Sequence, residues 1–218
     1  MAEVIIVKDE AEAGEIYARS VADLIKAKPD AVLGLATGSS PLAAYQALAA
    51  LVKKESNDVS QVRGFALDEY LGLPLTHPES YHSTIHRTVV EPLGLDPAKV
   101  HVPGDVLEGA PLTDGEKVSG AGAAYDQAIA EAGGVDVQIL GIGTILKARH
   151  LVLLAFGAGK AEAIAETVEG GVSAFCPASA LQLHPHATII VDEAAASRLR
   201  HKGYYKYAFA HKPSWQGI

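Results

Sequence analysis

The sequence contains a single cysteine, Cys176, in 218 residues. An internal disulfide is therefore excluded, and a reducing, cytoplasmic setting is expected. Long apolar runs are missing as well: nothing approaches the roughly 20 uninterrupted apolar residues that a spanning helix requires, so no membrane partner is expected. The first residues, MAEVIIVKDEAEAGE, have no basic region and their apolar run stops at Lys8, so no signal peptide is read there. Positive charge is scarce. With 18 Lys and Arg against 26 Asp and Glu, the formal charge is −8, which argues against a nucleic-acid partner whose phosphates must be neutralised broadly. There are no repeats, linkers or low-complexity tracts, and the length fits one domain, residues 1–218, able to bury a core on both faces of a sheet.

Short apolar runs alternate with amphipathic ones. Strands are expected at Val4–Val7, Ala31–Ala36, Phe65–Leu67, Lys99–Val102, Val135–Leu140, Leu151–Phe156 and Ala187–Val191. Helices are expected after Asp9, whose spacing to Glu12 suits a capping box, after Ser40-Pro41, from Pro78 to His86, and over Ser119–Ala132 and Ala161–Val168. This alternation predicts an α/β fold: a single-domain, Rossmann-like, mostly parallel sheet with helices on both faces.

Two stretches carry candidate chemistry. Phe65-Ala66-Leu67-Asp68-Glu69-Tyr70 ends a strand in two adjacent carboxylates just before turn-forming Gly72 and Pro74. Ligands of open α/β sheets sit at the carboxyl ends of the strands, and a carboxylate there can remove a proton beside a carbonyl. A solvated turn would read the same from this run alone. Thr37-Gly38-Ser39-Ser40-Pro41 joins a buried strand to a helix, with Ser40 as cap and Pro41 at the first helical position. Free N–H groups and hydroxyls there form a phosphate cradle, although a plain strand-to-helix turn would look similar. Lys160 begins a helix after a strand and suits either a phosphate or the solvent. His82 and His86 lie four apart on one helix face, yet without the flanking acid of a metal motif they read as ordinary histidines and no metal is expected. Tyr204, Tyr205, Tyr207 and Phe209 near the end of the chain read as packing residues.

Taken in order, LATGSSP at Leu35–Pro41, FALDEYLGLP at Phe65–Pro74, HPESYHS at His77–Ser83, LGIG at Leu140–Gly143, VEGGVSAFCPASALQLHP at Val168–Pro185 and VDEAA at Val191–Ala195 resemble the glucosamine-6-phosphate deaminase family of the sugar-phosphate isomerase and lactonase superfamily. Each run is weak alone, and together they cover nearly the whole chain. The resemblance implies that D-glucosamine 6-phosphate and water become D-fructose 6-phosphate and ammonia, with no cofactor. It implies Asp68 as the base that moves a proton between carbons 2 and 1. Thr37, Gly38, Ser39, Ser40, Glu69, Tyr81, Gly141, Gly143 and Lys160 are the implied substrate-binding positions, with the amino-sugar phosphate as the small-molecule partner. A homo-oligomer is allowed, since some relatives are hexamers. The alternatives are a sugar-phosphate-binding protein without turnover and a 6-phosphogluconolactonase-like hydrolase; lactonases usually follow the acids with arginine where Tyr70 stands here.

One departure from the family pattern is large. The family follows its Gly-Ile-Gly turn with Asp-Gly-His and then Asn-Glu-Pro, which open the sugar ring. Here Gly143 is followed by Thr144-Ile145-Leu146-Lys147, the continuation expected after a second, later glycine turn. The chain reads as though the ring-opening and lid segment near 143–145 were deleted, which predicts impaired turnover and newly exposed apolar surface. His150, His82 or His86 are the available substitutes for the missing histidine.

Overall fold

The computed structural model describes residues 2–105, 115–139, 144–213 and 215–218, with the backbone alone at 115–119 and 144–145. Its strands are β1 (Glu3–Val7), β2 (Val32–Leu35), β3 (Arg63–Ala66), β4 (Val100–His101), β5 (Val137–Ile139), β6 (His150–Ala155) and β7 (Ala187–Asp192). All pair in parallel, in the order β1-β7-β6-β5-β2-β3-β4. The helices are α1 (Glu10–Ala27), α2 (Leu42–Glu55), α3 (Tyr81–Ile85), α4 (Glu91–Leu93), α5 (Gly115–Glu131), α6 (Ala161–Glu169) and α7 (Lys202–Ala210).

Side chains on successive strand residues point to opposite faces, so each buried strand feeds two cores. Ile190 of β7 and Leu33 and Leu35 of β2 join Tyr17, Val21 and Ile25 of α1 and Tyr45 and Leu48 of α2. Ile189 and Val191, with Val32 and Phe65, join Tyr125 of α5 and Ile164 of α6 on the other face. Asp9 caps α1 by accepting from Glu12 N at 2.9 Å, as the capping-box spacing predicts, while Glu12 Oε2 accepts from Lys8 N, one residue before the cap, at 2.8 Å. α1 and α2 pack closely because Gly14 has no side chain: a Cβ there would lie 2.8 Å from the Ala43 carbonyl oxygen.

Several elements differ from the sequence expectation. Residues 77–80 form a turn, with Ser80 N bonded to His77 O at 3.0 Å, and the helix begins only at Tyr81, where Ser80 Oγ accepts from Ser83 N at 3.0 Å. It then runs through a π-helical turn at His86–Val90 into α4. α5 starts at Gly115, four residues before expected, because Gly115 and Gly120 dilute a helical signal that the fold overrides. On α7, Tyr204 and Tyr207 are exposed rather than packed, while Tyr205 and Phe209 do pack against the cores.

From β2 the chain steps outward to β3 and β4, then returns to β5 on the other side of β2 and steps the opposite way to β6 and β7. The carboxyl ends of β2 and β5 therefore flank the topological switch point, where crevices form in such sheets. The connections themselves are unequal. Residues 36–62 link β2 to β3 through α2, whereas residues 140–149 link β5 to β6 with only a 3₁₀ turn at Thr144–Lys147 among the described residues. A parallel crossover ordinarily takes about a dozen residues or more, usually including a helix. Beside the short connection lies a half-open cavity of about 260 Å³, bounded by Phe65, Leu67, Ile129, Val135, Gln138 and Ala148.

Candidate active site

Leu35 of β2 and Ala66 of β3 are register partners, and Thr37 and Asp68 each stand two residues beyond them. Adjacent strands lie about 4.8 Å apart, so the register alone brings the cradle and the carboxylate to one edge. Two buried phenols fix the strand ends below. Tyr45 of α2 accepts from Ala36 N at 2.9 Å and donates to Ala36 O at 3.0 Å, clamping the residue before Thr37. Tyr125 of α5 donates to Ala66 O at 2.7 Å, with His101 O at 3.0 Å, which holds the end of β3 to that of β4. Burial pushes both phenols far up, so they stay protonated and keep these bonds.

The Asp68 side chain is exposed at the strand end, yet partial desolvation by its surroundings, followed by the charge of Glu69, raises its carboxyl above the ordinary aspartate range. Such a carboxylate is a stronger base than one in water. Glu69 itself turns inward to the backbone: Oε1 accepts from Tyr81 N at 2.9 Å and Tyr70 N at 2.7 Å, and Oε2 from His82 N at 2.7 Å. It thereby satisfies N–H groups at the start of α3 and ties that helix to the loop carrying Asp68.

Tyr81 completes the cluster. Its hydroxyl donates to Tyr70 Oη at 3.2 Å, and the two rings lie 4.6 Å apart. The Tyr70 bond raises the Tyr81 phenol first, and burial and the Asp68 charge add to this. One side chain thus meets the second tyrosine and the charge of the base together.

In the cradle, Gly38 has φ +108, a conformation that favours glycine, and the space where a Cβ would project is open. Pro41 has helical dihedrals, but the expected cap is not made: the α2 start has no side-chain cap bond, and Leu42 N reaches Ser39 O at 3.2 Å instead. Among the described residues, no partner is found for the hydroxyls of Ser39 and Ser40. Lys160 is exposed at the start of α6, beyond the carboxyl end of β6 and two strand spacings, about 10 Å, from β2. Gly141 and Gly143 lie outside the described residues.

The histidines fall into two groups. His150 starts β6 and so lies at the amino edge of the sheet, opposite Asp68. Its Nε2 is 2.9 Å from Thr188 Oγ1, and its ring stacks on His186 at 3.8 Å. That position excludes it as the substitute for a missing catalytic histidine. His82 and His86 do share a helical face, with ring centroids 4.2 Å apart. Among the described residues no group of three or more His, Cys, Asp or Glu side chains could hold a metal.

Turn chemistry and strand ends point to Thr37, Gly38 and Asp68 in sequence, and the register brings their turns to one edge. Sequence reasoning missed the clamping roles of Tyr45 and Tyr125, which helical spacing registers only as core positions. Tyr70 entered the sequence reading as part of a motif, without its contact to Tyr81.

The family described as glucosamine-6-phosphate isomerases/6-phosphogluconolactonase matches residues 9–144. The chain is similar to a glucosamine-6-phosphate deaminase of Bifidobacterium longum, 68% identical over 270 aligned positions covering all of both proteins. A deaminase of Streptomyces avermitilis is 46% identical over 268 positions, covering 99% of this chain and 100% of that one. The first alignment is 52 positions longer than the 218 residues present here (270 less 218). Among solved structures, a monomeric glucosamine-6-phosphate deaminase superposes with TM-score 0.81 at 29% identity, covering 90% of this chain and 99% of that one. A 6-phosphogluconolactonase from Trypanosoma cruzi gives 0.70 at 17% identity, covering 92% and 97%, and shares the fold alone.

Proposed function

Because the chain belongs to the glucosamine-6-phosphate deaminase family, we propose that Asp68 transfers the proton between carbons 2 and 1 of a sugar whose phosphate rests on Thr37–Ser40. The reaction takes D-glucosamine 6-phosphate and water to D-fructose 6-phosphate and ammonia. The open-chain aldehyde gives its C2 proton to Asp68 and regains a proton at C1, leaving an imine at C2. Water then hydrolyses this imine, releasing ammonia and the ketose. The phosphate, several bonds from the reacting carbons, supplies binding energy that orients them. Backbone N–H groups at the α2 start and the Ser39 and Ser40 hydroxyls would bind it, with Lys160 approaching from β6.

The observation that carries this reading is the parallel register of β2 and β3, which pairs Leu35 with Ala66 and so brings Thr37 and Asp68, two residues beyond, to one edge beside the switch point. The test is ammonia release from glucosamine 6-phosphate. Asp68→Asn is expected to slow proton transfer by about 10²–10⁴-fold, enough to make it the slow step in place of ring opening and to lower turnover, while an unreactive hexitol 6-phosphate still binds. Turnover within a few-fold of the parent would remove Asp68 from the chemistry.

A second reading, a sugar-phosphate-binding protein without turnover, is favoured by the ten-residue β5–β6 connection. The family match ending at Thr144 and the 52 unmatched alignment positions support a segment missing there, together with its ring-opening Asp, His and Glu. We reconcile the two readings by making ring opening the slow step: Asp68 acts on the small open-chain fraction that forms unaided. Binding without any ammonia release would leave only the second reading.

A further inference from the structure

The cavity beside the β5–β6 connection shares no residue with the cradle or with Asp68, Tyr81 and Lys160. We infer that it is a binding site for a small aromatic molecule of one or two rings that carries one hydroxyl or N–H donor. Phe65, Val135 and Ala148 are buried and apolar, and with Ile129 and Leu67 they make most of the wall. Asp126, Ala130 and Lys147 are exposed and mark the mouth. A cavity of about 150 Å³ lined by apolar side chains holds benzene, so about 260 Å³ has room for a second ring.

One wall residue is polar. Gln138 is buried at 4% exposure, and its Nε2 donates to Ile139 O at 2.9 Å. Its Oε1 has no donor among the described residues. The amide lies flat across β2 because residue 34 is glycine: a Cβ there would stand 1.9 Å from that Oε1. The side chain that could have filled the cavity is thus laid along the strand, and an oxygen with no donor among the described residues gains from a donor brought by the ligand. The inference rests on the cavity and not on the proposed reaction, so either can fail alone.

Indole is the probe. Titrated into the full chain and followed by amide chemical shifts, it is expected to saturate and to move Gly34, Phe65, Ile129 and Gln138. Ala130→Trp, at the mouth, is expected to weaken binding at least tenfold. Gln138→Leu is expected to weaken indole about fivefold while leaving toluene, which has no donor, unchanged. No saturation with the parent chain, shifts confined to another surface, or equal indole affinity across all three proteins would overturn the assignment. Should either variant unfold, the shift map of the parent chain decides alone.

Discussion

The β2–β3 and β5–β6 connections leave the same edge of the sheet on either side of the switch point, and they could hardly be built more differently. The first spends residues 36–62 on a turn and a full helix, and that helix returns Tyr45 to clamp Ala36 beneath the cradle. The second crosses in residues 140–149 and leaves a cavity where a covering helix would ordinarily pack. On the reaction proposed above, the first connection carries the groups that bind the anion and move the proton, and the family resemblance assigns ring opening to residues that follow the glycine turn of the second. The two steps would then draw on separate parts of the fold, so that one could be lost without the other.

Restoring the second connection is the most forceful way to break this contrast. A segment carrying Asp-Gly-His and Asn-Glu-Pro, inserted after Gly143, is expected to raise the ammonia-release rate by at least about tenfold, since general acid–base groups contribute 10²–10⁴. Deuterium at C2 of the substrate sharpens the test. Its isotope effect should be near unity in the parent chain, where ring opening is slow, and clearly larger after insertion, where proton removal is exposed. A large isotope effect already present in the parent would mean that ring opening does not limit the rate.

The same substitution placed in the two regions separates tight from loose packing. At Gly14→Ala the new methyl meets the Ala43 carbonyl of a packed helix pair, which cannot yield. Overpacking of about 1–3 kcal/mol outweighs a helix-propensity gain of up to about 1 kcal/mol, so denaturant midpoints should fall. At Gly34→Ala the clash is nominally worse, 1.9 Å, but the atom met is the end of the Gln138 side chain, which can turn into the cavity. A loss below about 1 kcal/mol is expected there. If Gly34→Ala costs more than Gly14→Ala, the cavity does not yield.

Acid adds a smaller effect at the foot of the short connection. Burial, with His186, His184 and Lys212 adding, lowers His150 to about 3, and His186 is also lowered, by burial first, with Glu3 opposing. An unfolded histidine titrates near 6.5. Between these values the unfolded chain holds more protons, so stability is full above about 6.5 and falls as pH drops, by up to about 1.4 kcal/mol per pH unit for His150. His150→Phe keeps the stack on His186 and should reduce the slope of stability against pH by about one proton; an unchanged slope would mean that His150 titrates normally.

How much of this was legible in sequence follows the same division. Strand ends, Gly38 and the acid pair announce themselves through local chemistry, and the parallel register then brings Thr37 and Asp68 together with no further information. Long-range partners do not announce themselves. Tyr45 and Tyr125 show their ring positions through helical period, but where a hydroxyl ends depends on the packed fold. His150 misleads for a related reason: the family pattern makes any nearby histidine a substitute for the unmatched one, but His150 stands at the start of a strand and therefore at the amino edge. The departure from the family pattern after Gly143 is legible in sequence, while the cavity beside the short connection is visible in three dimensions alone.

Ser40 offers the finest distinction, because sequence gives it two roles and the bond that one of them needs is not made. A serine that caps a helix is worth about 1 kcal/mol, and Ser80, which accepts from Ser83 N at 3.0 Å, should cost that much when changed to Ala. Ser40 makes no cap bond at α2, so Ser40→Ala should leave stability within about 0.5 kcal/mol. If its hydroxyl instead meets a phosphate, the loss belongs to the ligand: a hydrogen bond to a charged group contributes about 1.5–3 kcal/mol, enough to raise KM at least about tenfold while kcat changes less. The two serines thus make opposite predictions in thermal unfolding and in substrate titration. A destabilised Ser40→Ala with unchanged KM would return that residue to helix capping and leave the anion to the backbone of the Thr37 turn.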